Sequence, residues 1–481
     1  MDVDEFRRRG KEMVDIVADY YSTIRERRVL SDVQPGYLRP LLPSEAPNEP
    51  EKWEDVVKDI ERVIMPGITH WLHPQFVAYY PSGFSFPSFL ADMLCNGMPN
   101  IGFSWIASPA ITELETVVLD WLGKALKLPS EFLAEAENGK SPQGGGVIQG
   151  TASEATLVAM LAARHEAVKK LQSEIPELKD HEAQGKLIAY GSDQAHSSYD
   201  KAAIIAGVKF RRLPSDKDFS LRGAALEIAI REDVEAGLHP FYLLTTLGTT
   251  SSCAFDNLLE LGPICQKFGL WMHIDAAYAG NAFICPEYRP LLNGVEYAES
   301  FNFNPHKWML TSFDCSCMWL KRRAAVISAF TVDPAYLRYA ESDSGAVLDY
   351  RHLQIPLGRR FRSLKLWFVL RLYGISGIQK YIRKHIELAK KFETLIRSSD
   401  LFEFPVKPML SLVCFRLKGS NDLNKKYLQA LNDSGKIYMI GTELGDQYVL
   451  RMSIVSVQTT EFDVDVIWDI VKSIAKNTIG K

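Results

Sequence analysis

Between about residues 85 and 360 the chain repeats one pattern: a stretch of helical period, then a short apolar run that stops on Gly, Ser, Thr or Asp. Strands are expected over 186–190, 208–213, 241–247, 271–275, 300–303 and 317–320, and helices over 153–171, 222–236 and 258–268. Strand and helix in turn require right-handed crossovers and a mostly parallel sheet covered on both faces. The expected fold class is therefore α/β, with any ligand beyond the carboxyl ends of the strands. The last 115 or so residues read helix 363–397, strand 403–417, helix 421–434, strand 437–454 and helix 461–475, a smaller α/β unit with its own core.

The N-terminal part reads differently. Phe6, Met13, Val17, Tyr20 and Ile24 recur every three or four residues among charged ones, the spacing of an amphipathic helix. From 33 to 50 come five prolines (Pro35, Pro40, Pro43, Pro47, Pro50), each fixing φ and removing a donor, so this piece is an extended connector. Such an arm and strap reaches another subunit or folds back on its own chain. The expected organisation is a helical arm over 1–85, a large domain over 86–362 and a small C-terminal domain over 363–481. The polar stretch 333–349 reads as a lid or surface loop.

Composition excludes several classes of function. Apolar residues make up 47% and charged residues 24%, an ordinary globular balance. A net charge of -4 gives a polyanion no field to follow, so no nucleic-acid partner is expected. The seven cysteines are scattered and without CxxC, which suits a reducing compartment and points to the cytoplasm. Neither a signal peptide nor a membrane span is expected, since the N-terminus lacks an apolar core and no run of about 18 apolar residues occurs.

Three segments carry chemistry. Gly144–Gly150 runs into Thr151, Ala152 and Ser153 at a helix start, where glycines, hydroxyls and unpaired N–H groups make a seat for an anion such as phosphate. Neither the Walker nor the dinucleotide spacing is present, and turn glycines before a capped helix are the plainer reading of this segment alone. Asp275, in HIDAAYAG, stands at the end of a strand, where a carboxylate binds metal, acts as a base, pairs with a protonated ring nitrogen or simply caps a turn. Lys307, in NFNPHKW, follows a short strand among Phe303 and Trp308, a setting for amine chemistry, although most lysines are only solvated. Together, phosphate seat, strand-end carboxylate and lysine match the needs of pyridoxal phosphate, with His196 of SDQAHSS on the same sheet edge able to stack on its ring.

The segments QGGGVIQGTASEATL, SDQAHSS, TLGTT, HIDAAYAG, NFNPHKW and QIPLGRRFRSLK, with the N-terminal FRRRGKEMVD, resemble the group II pyridoxal-phosphate decarboxylases, most closely the aromatic L-amino-acid (DOPA) decarboxylases of animals, over about residues 5 to 475. The resemblance implies the aspartate-aminotransferase fold (fold type I) with a seven-stranded, mostly parallel sheet. It also implies an intertwined homodimer with shared active sites and pyridoxal 5'-phosphate as cofactor, and no metal. By it, Lys307 matches the lysine that carries the cofactor, Asp275 the partner of the ring nitrogen, and His196 and Ala277 the residues on the two ring faces. Thr151, Ala152, Ser153 and Asn304 match the phosphate contacts, with His306 beside the lysine and Thr250 near the substrate. Tyr336 matches the lid tyrosine that returns a proton to the substrate. The substrate pocket is implied to be lined by Trp71, Tyr79, Tyr80 and Pro81, with Ile101 and Phe103 from the other subunit; Gly358 is a further specificity position.

The implied reaction is decarboxylation of aromatic L-amino acids to amines. Gly358 and His306 resemble the aromatic-acid enzymes, whereas Tyr80 resembles the histidine decarboxylases. The oxidative aldehyde-forming relatives usually lack either the stacked histidine or the lid tyrosine, and here both His196 and Tyr336 are present. A metal hydrolase would need a second histidine after His165-Glu166 or His181-Glu182, and GFSFP at 83–87 misses the nucleophile-elbow pattern by its last residue. A non-enzymatic binding protein on an enzyme scaffold would be colourless where a cofactor-loaded enzyme is yellow.

Overall fold

The computed structural model describes residues 1–135, 143–332, 334–343 and 347–480. Its contacts divide the chain into two units: Ser82–Glu387 with Pro408–Leu412, and Met1–Pro81 with Leu388–Lys407 and Val413–Lys481.

The larger unit is built on a seven-stranded sheet in the order β1-β7-β6-β5-β4-β2-β3. The strands are β1 (Gly145–Gln149), β2 (Leu187–Ser192), β3 (Lys209–Leu213), β4 (His239–Thr246), β5 (Trp271–Asp275), β6 (Ser300–Phe303) and β7 (Ser316–Leu320). Every residue of β1, β2, β5, β6 and β7 is buried, as expected where helices cover both faces. The helix Ala152–Glu174 lies on this sheet through Ala155, Ala159, Ala162 and Ala163, small residues that permit close approach. The sequence expected six of these strands; the seventh, β1, is the glycine-rich run itself, whose missing side chains leave no alternation to read.

Direction within the sheet decides where chemistry can happen. β2 is parallel to β3 and β4, β4 to β5, and β5 to β6. β7 runs antiparallel to both β6 and β1. Six strands therefore share one direction, and the carboxyl ends of β1, β2, β4, β5 and β6 open on one edge.

A buried ion pair pins β1 in this arrangement. Glu115, on the helix Pro109–Leu126, accepts the Ile148 N–H at 2.7 Å and pairs with Arg359, whose guanidinium also reaches Gln354 Oε1 at 2.6 Å and the Tyr350 ring at 4.8 Å. Both charged side chains are almost fully buried, so the pair and its hydrogen bonds, including one from Arg359 to Ile148 O at 3.3 Å, must replace the water each has lost.

In the smaller unit, β8 (Phe402–Glu403), β9 (Leu412–Leu417), β10 (Ile440–Leu444) and β11 (Gln447–Ser453) form a sheet in the order β10-β11-β9-β8. The run 403–417, expected as one strand, is interrupted between β8 and β9, and 437–454 is a hairpin turning at Gly445, whose φ is 61°. The helix expected at 363–397 spans Arg362–Arg397 but breaks at Gly374, where φ is 64°. The N-terminal segment folds back on its own chain in this unit: Val29 N–H donates to Gly435 O at 3.1 Å, Phe76 bridges Tyr438, and Arg25 pairs with Asp463 at 3.0 Å. The first helix, Val3–Ser22, buries no residue in the single chain.

Replacing Glu115 with Ala strands the Arg359 guanidinium in the core. The expected cost is roughly 3–5 kcal/mol of unfolding free energy, read as a lower denaturant midpoint; an unchanged midpoint contradicts the part given to this pair.

Candidate active site

The carboxyl ends of β1, β2, β4, β5 and β6 each deliver one piece of the site. After β1, Thr151 caps the helix Ala152–Glu174, its hydroxyl accepting the Glu154 N–H at 3.3 Å, while the Glu154 carboxylate turns back to accept the Gly150 N–H at 2.9 Å. The N–H groups of Ala152 and Ser153 lie in the first turn, where no intrahelical acceptor exists, at the positive end of the helix dipole.

After β2 comes His196. Its Nδ1 accepts the Ser198 N–H at 3.1 Å and lies 2.9 Å from the Ser198 hydroxyl, which leaves the neutral ring's proton on Nε2. The turn after β4 carries Thr250, next to Thr249, whose hydroxyl lies 3.1 Å from that of Ser252. Asp275 ends β5, is 5% exposed, and accepts the Ala277 N–H at 3.0 Å. After β6, the Asn304 N–H donates to Ala277 O at 3.0 Å, tying this turn to the one after Asp275. The Asn304 carboxamide oxygen accepts the Ser316 hydroxyl at 2.7 Å. Lys307 follows in the short helix Pro305–Trp308, its N–H donating to Asn304 O at 2.9 Å.

The charges of these residues act on one another. Burial lowers the His196 pKa, the Asp275 carboxylate opposes this and the Lys307 ammonium adds to it, so the three lie within each other's fields. His306, held by the Cys315 N–H at its Nδ1 (2.8 Å), is pushed down to about 3 by burial and then by Lys307. The amine thus has two neutral imidazoles near it at neutral pH.

The comparisons with known proteins identify the family. The family model "Pyridoxal-dependent decarboxylase conserved domain" matches residues 35–418. The chain is 57% identical over 479 residues to the aromatic-L-amino-acid decarboxylase of Mus musculus, covering 100% of this chain and 99% of that one. To its counterpart in Drosophila melanogaster it is 55% identical over 475 residues, covering 99% and 92%. This chain belongs to the pyridoxal-dependent decarboxylases. Among solved structures, Oryza sativa TDC with PLP and tryptamine superposes with a TM-score of 0.95 at 37% identity, covering 99% of both chains. Catharanthus roseus tryptophan decarboxylase in complex with L-tryptophan gives 0.92 at 42%, again with 99% of both. The expected fold type and cofactor are both borne out.

The decarboxylase's own residues fit pyridoxal phosphate. Asp275 is a buried carboxylate with no ion pair to a basic side chain among the described residues, an arrangement that calls for a cationic partner such as a protonated ring nitrogen. The Thr151 and Ser153 hydroxyls, the first-turn N–H groups and the Asn304 carboxamide form a donor set for a phosphate, and Lys307 supplies the amine.

Other expected site residues are spread more widely. Ile101 is exposed and would touch a Cβ placed on Gly358 at 3.5 Å, and Phe103 O accepts the Arg351 N–H at 3.1 Å. Trp71, Tyr79, Tyr80 and Pro81 belong to the smaller unit. There Trp71 stacks on Tyr79 at 5.4 Å, the Tyr79 and Tyr438 hydroxyls lie 2.9 Å apart, and the Arg451 guanidinium sits 5.1 Å over the Tyr80 ring. Tyr336 is 80% exposed on the turn Ala335–Leu337; of the expected lid, residues 333 and 344–346 lie outside the described residues.

Sequence reading missed the support beneath the site. His273 and Ser300, at alternate strand positions from Asp275 and Asn302, are fully buried polar residues, and the two-residue period of β5 and β6 was the signal available. Burial pushes His273 down to about 4.

These buried histidines fix a pH dependence. His273 and His306 have folded pKa values below the unfolded one, so between about pH 6.5 and pH 4 the unfolded chain takes up protons that the folded chain refuses. Their contribution is complete above pH 6.5 and is lost on acidification, opposed in part by buried Asp256, whose carboxyl is raised to about 7. The urea midpoint at pH 5 is expected to lie below that at pH 7.5; equal midpoints would remove this assignment.

Proposed function

We propose that this enzyme decarboxylates aromatic L-amino acids of the DOPA and 5-hydroxytryptophan type to the corresponding amines. The observation that carries the reading is the meeting of Lys307, Asp275 and His196 at one sheet edge, within each other's electrostatic fields. Relatives covering the whole chain that act on aromatic L-amino acids support the substrate class.

Bound pyridoxal phosphate supplies the electron sink that accepts the pair left on Cα when carbon dioxide departs. Lys307 would hold the cofactor through its side-chain amine. Asp275 keeps a proton on the ring nitrogen, and its burial strengthens that attraction because little water competes. His196 and Ala277 would hold the two faces of the cofactor ring. The helix start at Thr151, Ala152 and Ser153, with Asn304, anchors the phosphate; His306 and Thr250 line the reacting end.

By resemblance, Trp71, Tyr79, Tyr80 and Pro81 are residues for the substrate's ring, and Ile101, Phe103 and Gly358 are residues for its specificity. Tyr336 carries a proton to the substrate Cα. Its place on an exposed turn suits a lid residue that acts only when the site closes. Retention of His196 and Tyr336 favours the amine over an aldehyde.

The enzyme acts as a homodimer, with Ile101 and Phe103 contributed across subunits. Phe86, Leu90, Met93, Leu94 and Met98 support this as an exposed apolar stripe of the kind a second subunit covers. Seven free cysteines and the absence of a membrane-crossing helix among the described residues are consistent with a cytoplasmic enzyme.

Purified enzyme given DOPA, 5-hydroxytryptophan, tyrosine, phenylalanine, tryptophan and histidine is expected to release carbon dioxide and amine from the aromatic acids without peroxide. Release from histidine alone, or aldehyde and peroxide in step with carbon dioxide, would replace this reading. Lys307→Ala is expected to abolish turnover and the yellow absorbance, and persistence of both would remove its role. Tyr336→Phe is expected to lower amine formation on the order of 100-fold and to divert product to aldehyde; unchanged amine yield would assign the proton to another group.

A further inference from the structure

We infer that His273 is a positioning residue for Asp275, acting through Asn302 at the end of a one-way hydrogen-bond chain. The inference rests on the role proposed above for Asp275 and adds what holds that carboxylate in place.

The direction of the chain follows from which groups can donate. The Trp271 indole N–H can only donate, and it lies 2.8 Å from Ser300 Oγ. The Ser300 proton then goes to His273 Nδ1, 2.7 Å away. With Nδ1 accepting, the neutral imidazole carries its proton on Nε2 and donates to the Asn302 carboxamide oxygen at 3.0 Å. A protonated ring would reverse the middle link. Two N–H groups would then point at one hydroxyl oxygen, and its proton would need a new acceptor where Ser300 is fully buried. Burial holds the ring neutral through the neutral range, so the chain runs one way.

The chain ends on an unspent donor. Asn302 Nδ2 is buried and has no partner among the described residues. The register of β5 and β6 sets Asn302 directly across from Asp275. On the other side, Thr246 of β4 is Asp275's register partner, and its hydroxyl and that of Tyr242 on the same strand are likewise buried without partners. Unsatisfied buried donors cost about 1–3 kcal/mol each. Asp275 is the carboxylate these strands share, with its Oδ1 accepting the Ala277 N–H. One buried water, donating to the carboxylate and accepting from the Asn302 amide, would satisfy both sides. His273 fixes which face of the Asn302 amide is presented: oxygen toward the imidazole, NH2 toward Asp275. The Ala277 N–H on Oδ1 and an amide presented from the neighbouring strand would together orient the carboxylate, as a partner for a ring nitrogen requires.

The test compares His273→Leu, His273→Gln, Asn302→Ala and the double variant His273→Leu/Asn302→Ala. Cofactor affinity is read by tryptophan fluorescence as apoenzyme is titrated with pyridoxal phosphate, and kcat and KM are measured on the holoenzymes. His273→Leu is expected to weaken cofactor binding and lower kcat by about 10-fold or more, with KM unchanged. His273→Gln keeps an N–H for the Asn302 oxygen and is expected to recover most of the loss. Asn302→Ala is expected to reproduce it, and the double variant to be no worse than the worse single one. The inference is overturned if Gln is as damaging as Leu, if the double variant shows the product of the single losses, or if all variants bind cofactor like the wild type. Should His273→Leu fail to fold, Asn302→Ala against His273→Gln decides: loss in the first and retention in the second support the chain, and any other pattern overturns it. Wild-type enzyme that takes up no cofactor would instead overturn the functional reading on which this one stands.

Discussion

The buried carboxylate of Asp275 is the constraint around which the larger unit is arranged. An anion removed from water needs a compensating charge or a full set of donors, and Asp275 has only one backbone donor resolved among the described residues. In the proposed role, the protonated ring nitrogen of the cofactor is the cation that would complete this site. The surroundings are polar where they face Asp275 and apolar elsewhere: Thr246 and Asn302 flank it on the neighbouring strands, while Phe301 and Ile274 point into the core.

Strand direction turns this single residue into a site. Because six of seven strands run one way, the turns after β1, β2, β4, β5 and β6 reach the same edge, bringing together residues as far apart in sequence as Thr151 and Lys307. Only β7 is reversed, and its reversal lets it lie between β6 and β1 without delivering a turn of its own to that edge. Pinning β1 by Glu115 and Arg359 matters for the same reason, since β1 leads directly into the helix start at Thr151, Ala152 and Ser153.

The two histidines nearest Lys307 illustrate how position tunes chemistry. His306 is enclosed and held at Nδ1 by a backbone N–H, and its pKa falls to about 3. Burial also lowers the His196 pKa, and there Asp275 opposes the shift while Lys307 adds to it. A neutral ring at both positions avoids placing a second cation beside the amine.

Much of this was legible in the residue order. Periodicity gave the α/β class and six of the seven strands, and short ordered motifs named Lys307, Asp275, His196 and the helix start at Thr151, because covalent spacing fixes which residue follows which strand. The interruption between β8 and β9, the hairpin at Gly445 and the break at Gly374 were read as continuous elements, since apolar period persists across a turn whose φ only the folded backbone reveals. Tertiary structure alone decided what stands beneath the site. That Ser300 and Asn302 face His273 and Asp275 depends on the register between two strands, and that Glu115 meets Arg359 depends on a helix packing against β1. Such contacts are set by how separate elements pack, which spacing along the chain does not encode.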